Sequence, residues 1–493
     1  MAQYKLFRLI AALRPDELPG AERWLAATGN AAQADCLALY QYLTKRKPQI
    51  LGGTDAKAAM SAHIYPGQPY NDAKMRKLMT RLTHLLEDFL IQQELSKDEA
   101  TRHRLLASTL SRRGDYRLFK DAIEGRLKTI ENGRVLGLAY YLEHQQLFAS
   151  LYFHTETAKF TTHDSSLRQS IAHLEKHITL ESLLMGAECL VRDRTLSSGG
   201  GYAFFENALQ MAKGWGAECP PVIAFFRDVV LLLLRPGQVA DLSKLSSQVL
   251  SVFDEMGGDE QRMALKLLIF YATPYANNGS GEHSKFIFDL YRLGMEKGLL
   301  QHGDNPIDPI LFLNIAITGA VEGAFEWTAD FIKKYHPMLP VQDRENARHL
   351  GLASWHYQLG LAQGDTAELC RALALLNHIP IRSDEIYDLR TRSLQFRIMF
   401  DLFLAGAEPL ETVLEQARNF KRYLSKNTTY SAAKRGAYTT FLQYAAALAK
   451  LLNQHGLDRG AITDFLEKLG FEKNCTLRHW LEEKAGAALQ PRP

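Results

Sequence analysis

Apolar residues return every three or four positions along almost the whole chain, and alternating, strand-like patterns are scarce. The clearest stretch runs from Asn71 to Leu95, where Met75, Leu78, Met79, Leu82, Leu85, Leu86, Phe89 and Leu90 form one stripe. Lys74, Lys77, Arg81, His84 and Asp88 fill the remaining surface, so the spacing predicts an amphipathic helix over 71–95. The turn-forming cluster Pro66-Gly67-Gln68-Pro69 precedes it, and Asn71 or Asp72 offers a side chain to the first free amides. The same reading predicts helices over about 98–112, 116–131, 134–154, 164–193, 221–234, 259–272, 343–362, 366–377, 384–404, 409–425 and 430–454, with a broken one over 309–334. Breaks fall at turn residues, among them Gly114-Asp115, Gly199-Gly200-Gly201, Gly257-Gly258, Asn277-Asn278-Gly279, Gly364-Asp365 and Gly456.

Roughly twenty antiparallel helices joined by short turns predict an all-α fold of stacked hairpins, an α-solenoid in which each pair buries its face on the next. The C-terminal turns at Gly364, Gly406 and Gly456 recur after 42 and 50 residues, whereas a regular tetratricopeptide array repeats after about 34. Trp355-His356-Tyr357-Gln358-Leu359-Gly360 comes near a tetratricopeptide first helix, with Trp and Leu-Gly one residue too far apart. The expected array is therefore tetratricopeptide-like and irregular. It divides into an N-terminal helical domain (1–95), a central hairpin array (96–342) and C-terminal hairpins (343–493), which Trp480 and its helix cap.

Composition adds exclusions. At 46% hydrophobic and 23% charged residues the chain is an ordinary soluble globular protein, and 58 basic against 55 acidic side chains leave only +3. Charge alone thus implies neither nucleic acid nor membrane. The most apolar stretch, Pro221 to Leu234, carries Arg227 and Asp228 in its middle and reads as a buried helix. Lys5 and Arg8 interrupt the first apolar run, and five scattered cysteines form no CxxC pair. A cytoplasmic protein without membrane contact is the expectation.

Tyr65-Pro66-Gly67-Gln68-Pro69-Tyr70-Asn71-Asp72, leading into Leu86-Glu87-Asp88-Phe89-Leu90, resembles a recurring N-terminal signature. It belongs to a group of helical proteins of similar length, common in Bacteroidota. Leu174-Glu175-Lys176-His177 with Leu180-Glu181 and Ala187-Glu188-Cys189 resembles their long central helix. Leu361-Ala362-Gln363-Gly364-Asp365, Phe420-Lys421-Arg422-Tyr423-Leu424 and Trp480-Leu481-Glu482-Glu483-Lys484 resemble their C-terminal hairpins and closing helix. The chain departs from that pattern at His177 and in its longer middle, Gly199 to Pro340. The resemblance implies a tetratricopeptide-like helical fold and carries over no catalytic residue.

Candidate chemistry is thin. His173, His177 and Glu181 share one helical face, but a zincin needs Glu directly after the first His, and Leu174 stands there. Three ligands stacked along one helix also spread over ~12 Å, too far for one ion. Ser197-Ser198-Gly199-Gly200-Gly201-Tyr202 is the single glycine run, yet no Lys-Ser/Thr follows it, so it reads as a turn. Thr101 to Arg134 holds nine cations against four acids, and a second concentration comprises Arg418, Lys421, Arg422, Lys426, Lys434 and Arg435. No catalytic, metal or cofactor site is expected. The leading expectation is a non-enzymatic scaffold for a protein or peptide partner. The alternative is nucleic-acid binding along the clusters at 101–134 and 418–435, with Arg112, Arg113, Arg117, Lys120, Lys421 and Arg422 as the contact surface.

Overall fold

The computed structural model describes residues 4–27, 31–46, 54–133, 135–156, 165–196, 203–235, 241–301, 307–380, 385–427, 429–454 and 458–490. Among them 83% are helical, in twenty-three α-helices and three short 3-10 segments, and no strand occurs. The Gly199–Gly201 run and Gly456 lie outside the described residues. The chain divides into two compact units, Met1–Gly133 with Gln146–Ser170, and Arg134–Gln145 with Ile171–Pro493.

In the first unit, α1 (Lys5–Ala12), α2 (Leu18–Ala27), α3 (Ala31–Arg46) and α4 (Thr54–Ile64) all pack on α5 (Asp72–Lys97). The apolar stripe of α5 is its packing face: Met75, Leu78, Met79, Leu82, Leu86 and Phe89 are buried in one core with Phe7, Leu25, Leu39 and Leu43. Each such side chain contributes ~1.5–3 kcal/mol on leaving water. Asn71 caps the helix, its Oδ1 accepting the Lys74 amide at 3.0 Å. Next come α6 (Glu99–Arg112) and α7 (Tyr116–Glu131), a hairpin whose turn needs Gly114 at φ 76°. Asp115 then caps α7 by accepting the Leu118 amide at 3.0 Å, and Phe119, Ile123 and Leu127 bury its inner face. α8 (Leu138–Tyr152) and α9 (Ser165–Leu196) contribute residues to both units.

The second unit continues with α10 (Ala203–Gly214), α11 (Pro221–Leu234), α12 (Leu242–Val252), α13 (Gly258–Asn277) and α14 (Gly281–Glu296). α15 (Pro309–Val321) and α16 (Phe325–Tyr335) realise the expected break, with Gly323 between them at φ 69°. α17 (Arg344–Gln363), α18 (Thr366–Asn377), α19 (Glu385–Leu404), α20 (Leu410–Lys426), α21 (Ala432–Leu452), α22 (Arg459–Phe471) and α23 (Arg478–Leu489) complete it. Neighbours in sequence pack as pairs, among them α13 with α14, α17 with α18 and α20 with α21. Second neighbours also touch: α11 with α13, α15 with α17, α17 with α19, and α21 with α23.

α11 buries Val222, Ile223, Phe225, Phe226, Val229, Val230 and Leu233, which accounts for its hydropathy. Among the described residues no helix is long and apolar enough to cross a membrane. At α23, Trp480 is buried against the rings of Phe400 and Phe441, with centroids 5.0 and 5.8 Å away.

Candidate functional site

The two basic clusters belong to different units. Arg112 ends α6, Arg113 follows it, Arg117 and Lys120 open α7, and all four are exposed. Lys120 reaches Glu124 at 3.5 Å, and Arg126 of the same hairpin pairs with Glu99 at 2.8 Å. Exposed pairs of this kind add less than ~1 kcal/mol. Leu105, Leu106 and Leu118 stand exposed on the same hairpin.

The second cluster lies on α20 and α21. Of Arg418, Lys421, Arg422, Lys426, Lys434 and Arg435, none reaches a carboxylate within ion-pair distance among the described residues. Lys421, Arg422 and Arg435 line a shallow groove with Ser425, Gly436 and Thr439. Arg435 donates from Nη1 to the Asn427 carbonyl at 2.9 Å, while its buried Nε has no hydrogen-bond partner. Lys434 Nζ sits 4.9 Å from the centre of the Tyr430 ring. Lys421 is half-buried, and burial holds its ammonium below the usual lysine range. The acids of this hairpin, Glu411 and Glu415, sit on the first half of α20, away from that groove.

The histidines of α9 do separate work. His177 Nε2 lies 3.5 Å from Glu181, and its Nδ1 lies 3.2 Å from the Leu138 carbonyl. His173 is buried and stacks on His144, ring centres 4.6 Å apart at 27°, with Tyr140 edge-on and Tyr141 tilted beside it. Burial, with help from His144, pushes His173 down to about 4. Among the described residues no three His, Cys, Asp or Glu side chains gather as a metal site.

A further site escaped the sequence reading. In the second unit, residues of α13, α14, α15, α17, α19 and α21 enclose a cleft of about 530 Å³. α19 supplies Arg390, Ser393, Leu394 and Arg397, the i, i+3, i+4 and i+7 positions of one face. Arg390 donates from Nη2 to Asn314 Oδ1 on α15 at 3.1 Å. Burial lowers its guanidinium from the usual range, and the groups acting on it are the hydroxyls of Tyr438, Tyr291 and Tyr387. The Arg397 guanidinium carbon lies 5.4 Å from the centre of the Tyr357 ring, and its Nε is buried without a hydrogen-bond partner. Among the described residues no carboxylate pairs with either arginine. The nearby Asp401 is taken, by Lys484 at 2.6 Å and by the Tyr357 hydroxyl at 2.7 Å. Sequence offered little clue: α19 also carries Asp388, Arg392, Gln395 and Asp401, so two more arginines seven residues apart do not stand out on it. No protein-family model, curated protein or solved structure matches the chain.

Proposed function

We propose that the chain is a non-enzymatic helical-repeat scaffold, an irregular tetratricopeptide-like α-solenoid that holds an acidic segment of a partner protein in the cytoplasm. Two kinds of contact support the solenoid reading: sequence neighbours pack as hairpins, and α15, α17 and α19 pack on one another in succession. The observation that carries the binding reading is the α20–α21 hairpin, where three of six cations line one groove and none of the six meets a carboxylate among the described residues. Such cations repel one another, and a complementary acidic segment removes that repulsion while steering the encounter. Catalysis would ask for a nucleophile and base converging on one point, and the groove offers donors of a single sign.

Nucleic acid is the second reading, favoured by the exposed Arg112, Arg113, Arg117 and Lys120 around the α6–α7 turn. The leucines exposed beside them, Leu105, Leu106 and Leu118, suit a protein surface better than a phosphate backbone. The test uses the full chain and its Lys421→Glu/Arg422→Glu variant against a labelled Glu- and Leu-rich peptide and a labelled single-stranded RNA. Peptide binding that the variant loses is the expected result. RNA binding with a steep salt dependence and no peptide binding would hand the site to the second reading. Equal behaviour of the two proteins toward both probes would remove the groove from either.

A further inference from the structure

The α19 cleft points to a different kind of ligand from the groove on α20 and α21. Arginine is rarely taken out of water unless a carboxylate or phosphate accompanies it, because stripping water from an unpaired cation is costly. Here two guanidiniums line one cleft, and their partners are neutral: the Asn314 amide for Arg390 and the Tyr357 ring for Arg397. Asp401, which accepts the hydroxyl of the cleft's Tyr357, has its charge met by Lys484. Among the described residues, the cleft's positive charge therefore meets no carboxylate.

Its size and walls narrow the ligand. At about 530 Å³ the cleft is far larger than an inorganic ion needs, and it falls within the ~300–1,000 Å³ of small-molecule sites. Ile287, Ile317, Leu350 and Leu394 give it apolar wall, while Asn314, Ser354 and Gln358 add neutral donors and acceptors. Guanidiniums match oxyanions with two parallel hydrogen bonds, so the two arginines select carboxylate or phosphate groups and the rest of the wall accommodates a carbon skeleton.

We propose that this cleft binds a small organic oxyanion, held by Arg390 and Arg397 at its charged groups and by the α14, α15 and α17 side chains along its carbon skeleton. The site is independent of the α20–α21 groove and of the partner assigned to it. Carboxylate and phosphate share the recognition chemistry, and the assay separates them.

The test is a thermal-shift titration of the full chain with a panel of small di- and tricarboxylates, a panel of sugar phosphates, inorganic phosphate, and the neutral sugars as blanks. The expected result is a saturable rise in melting temperature with members of one organic panel, little with inorganic phosphate and none with the blanks. Calorimetry should then show binding about tenfold or more weaker in Arg390→Gln and in Arg397→Gln. Lys285→Gln, which removes an exposed cation of α14, should bind as the parent does. A ligand-free measurement stands beside these: Arg397→Met should melt at or above the parent temperature, since an unfilled binding site is held at a cost to stability. Organic anions that shift nothing, shifts that survive both arginine variants, or an acidic peptide binding the cleft where small anions do not, would each overturn the proposal. So would an Arg397→Met protein that melts well below the parent, because the guanidinium would then be a structural tie.

Discussion

Replacing Lys484 tests how the second unit is tied together. The Lys484 ammonium sits 2.6 Å from Asp401, and the two side chains are 11% and 5% exposed. Asp401 also accepts the Tyr357 hydroxyl at 2.7 Å, and Tyr357 in turn accepts the Trp480 indole N–H at 3.2 Å. One buried charge pair therefore joins α17, α19 and α23. Lys484→Met keeps the stem and deletes the charge, leaving the Asp401 carboxylate buried with one neutral donor. Breaking a buried pair from one side costs ~3–5 kcal/mol, because the surviving charge has neither water nor partner. Asp401→Asn added to Lys484→Met removes that stranded charge and still offers Tyr357 an acceptor, so the double variant should recover most of the loss. Urea unfolding followed by tryptophan fluorescence reads the transition, with Trp480 inside the network. A single variant that loses less than ~1 kcal/mol, or a double variant as unstable as the single, would show that water reaches the pair and that the accounting is wrong.

Trp480→Ala should cost ~3–5 kcal/mol by emptying the space between Phe400 and Phe441. Truncation before Asn474 should lower the melting temperature further and raise light scattering, and a truncated chain that melts unchanged and stays monomeric would show α23 to be dispensable. His173 predicts acid lability. Its folded value of about 4 lies below the ordinary histidine value of 6.5, so the fold accepts the neutral ring. That contribution is complete above 6.5 and is lost as the pH falls from there toward 4. A shift of this size is worth ~3 kcal/mol at most. Urea midpoints across that window should therefore fall more steeply for the parent than for His173→Gln, and parallel slopes would refute the assignment.

What sequence could and could not reveal follows from the range of each interaction. The α5 stripe and the Gly-Asp turns after α6 and α17 were legible because a face or a cap is decided within a few residues. Asp115 and Asp365 accept amides three and two residues ahead, and Gly114 and Gly364 take φ values of 76° and 67°. The end of α13 was misplaced because a tertiary contact decides it. Pro274 and the following polar residues argue for a stop near 272, yet Tyr275 stacks on His283 of α14 at 4.6 Å, and the helix runs on to Asn277.

Charges pose the harder case, since the partner that cancels a cation is often remote. Glu99 serves Arg126 and Glu188 serves Lys266, 27 and 78 residues away. A count of cations along 418–435 could therefore locate a basic hairpin without showing that none of them meets a carboxylate among the described residues. On α19 the difficulty is greater. Arg390 finds Asn314 across 76 residues, and with Arg397 it reads as routine helical polarity until the helix is seen to be buried almost all round. Packing forces that recognition: Phe396, Ile398, Phe400 and Leu402 leave little of the helix to water, and while Arg392 finds Asp388 on the same helix at 2.9 Å, Arg390 and Arg397 look to other helices. Asn314 and Tyr357 answer in shape and hydrogen bonding but not in charge. The informative feature of the cleft is thus a carboxylate that the described residues do not supply, and an omission in space has no counterpart in a string of residues.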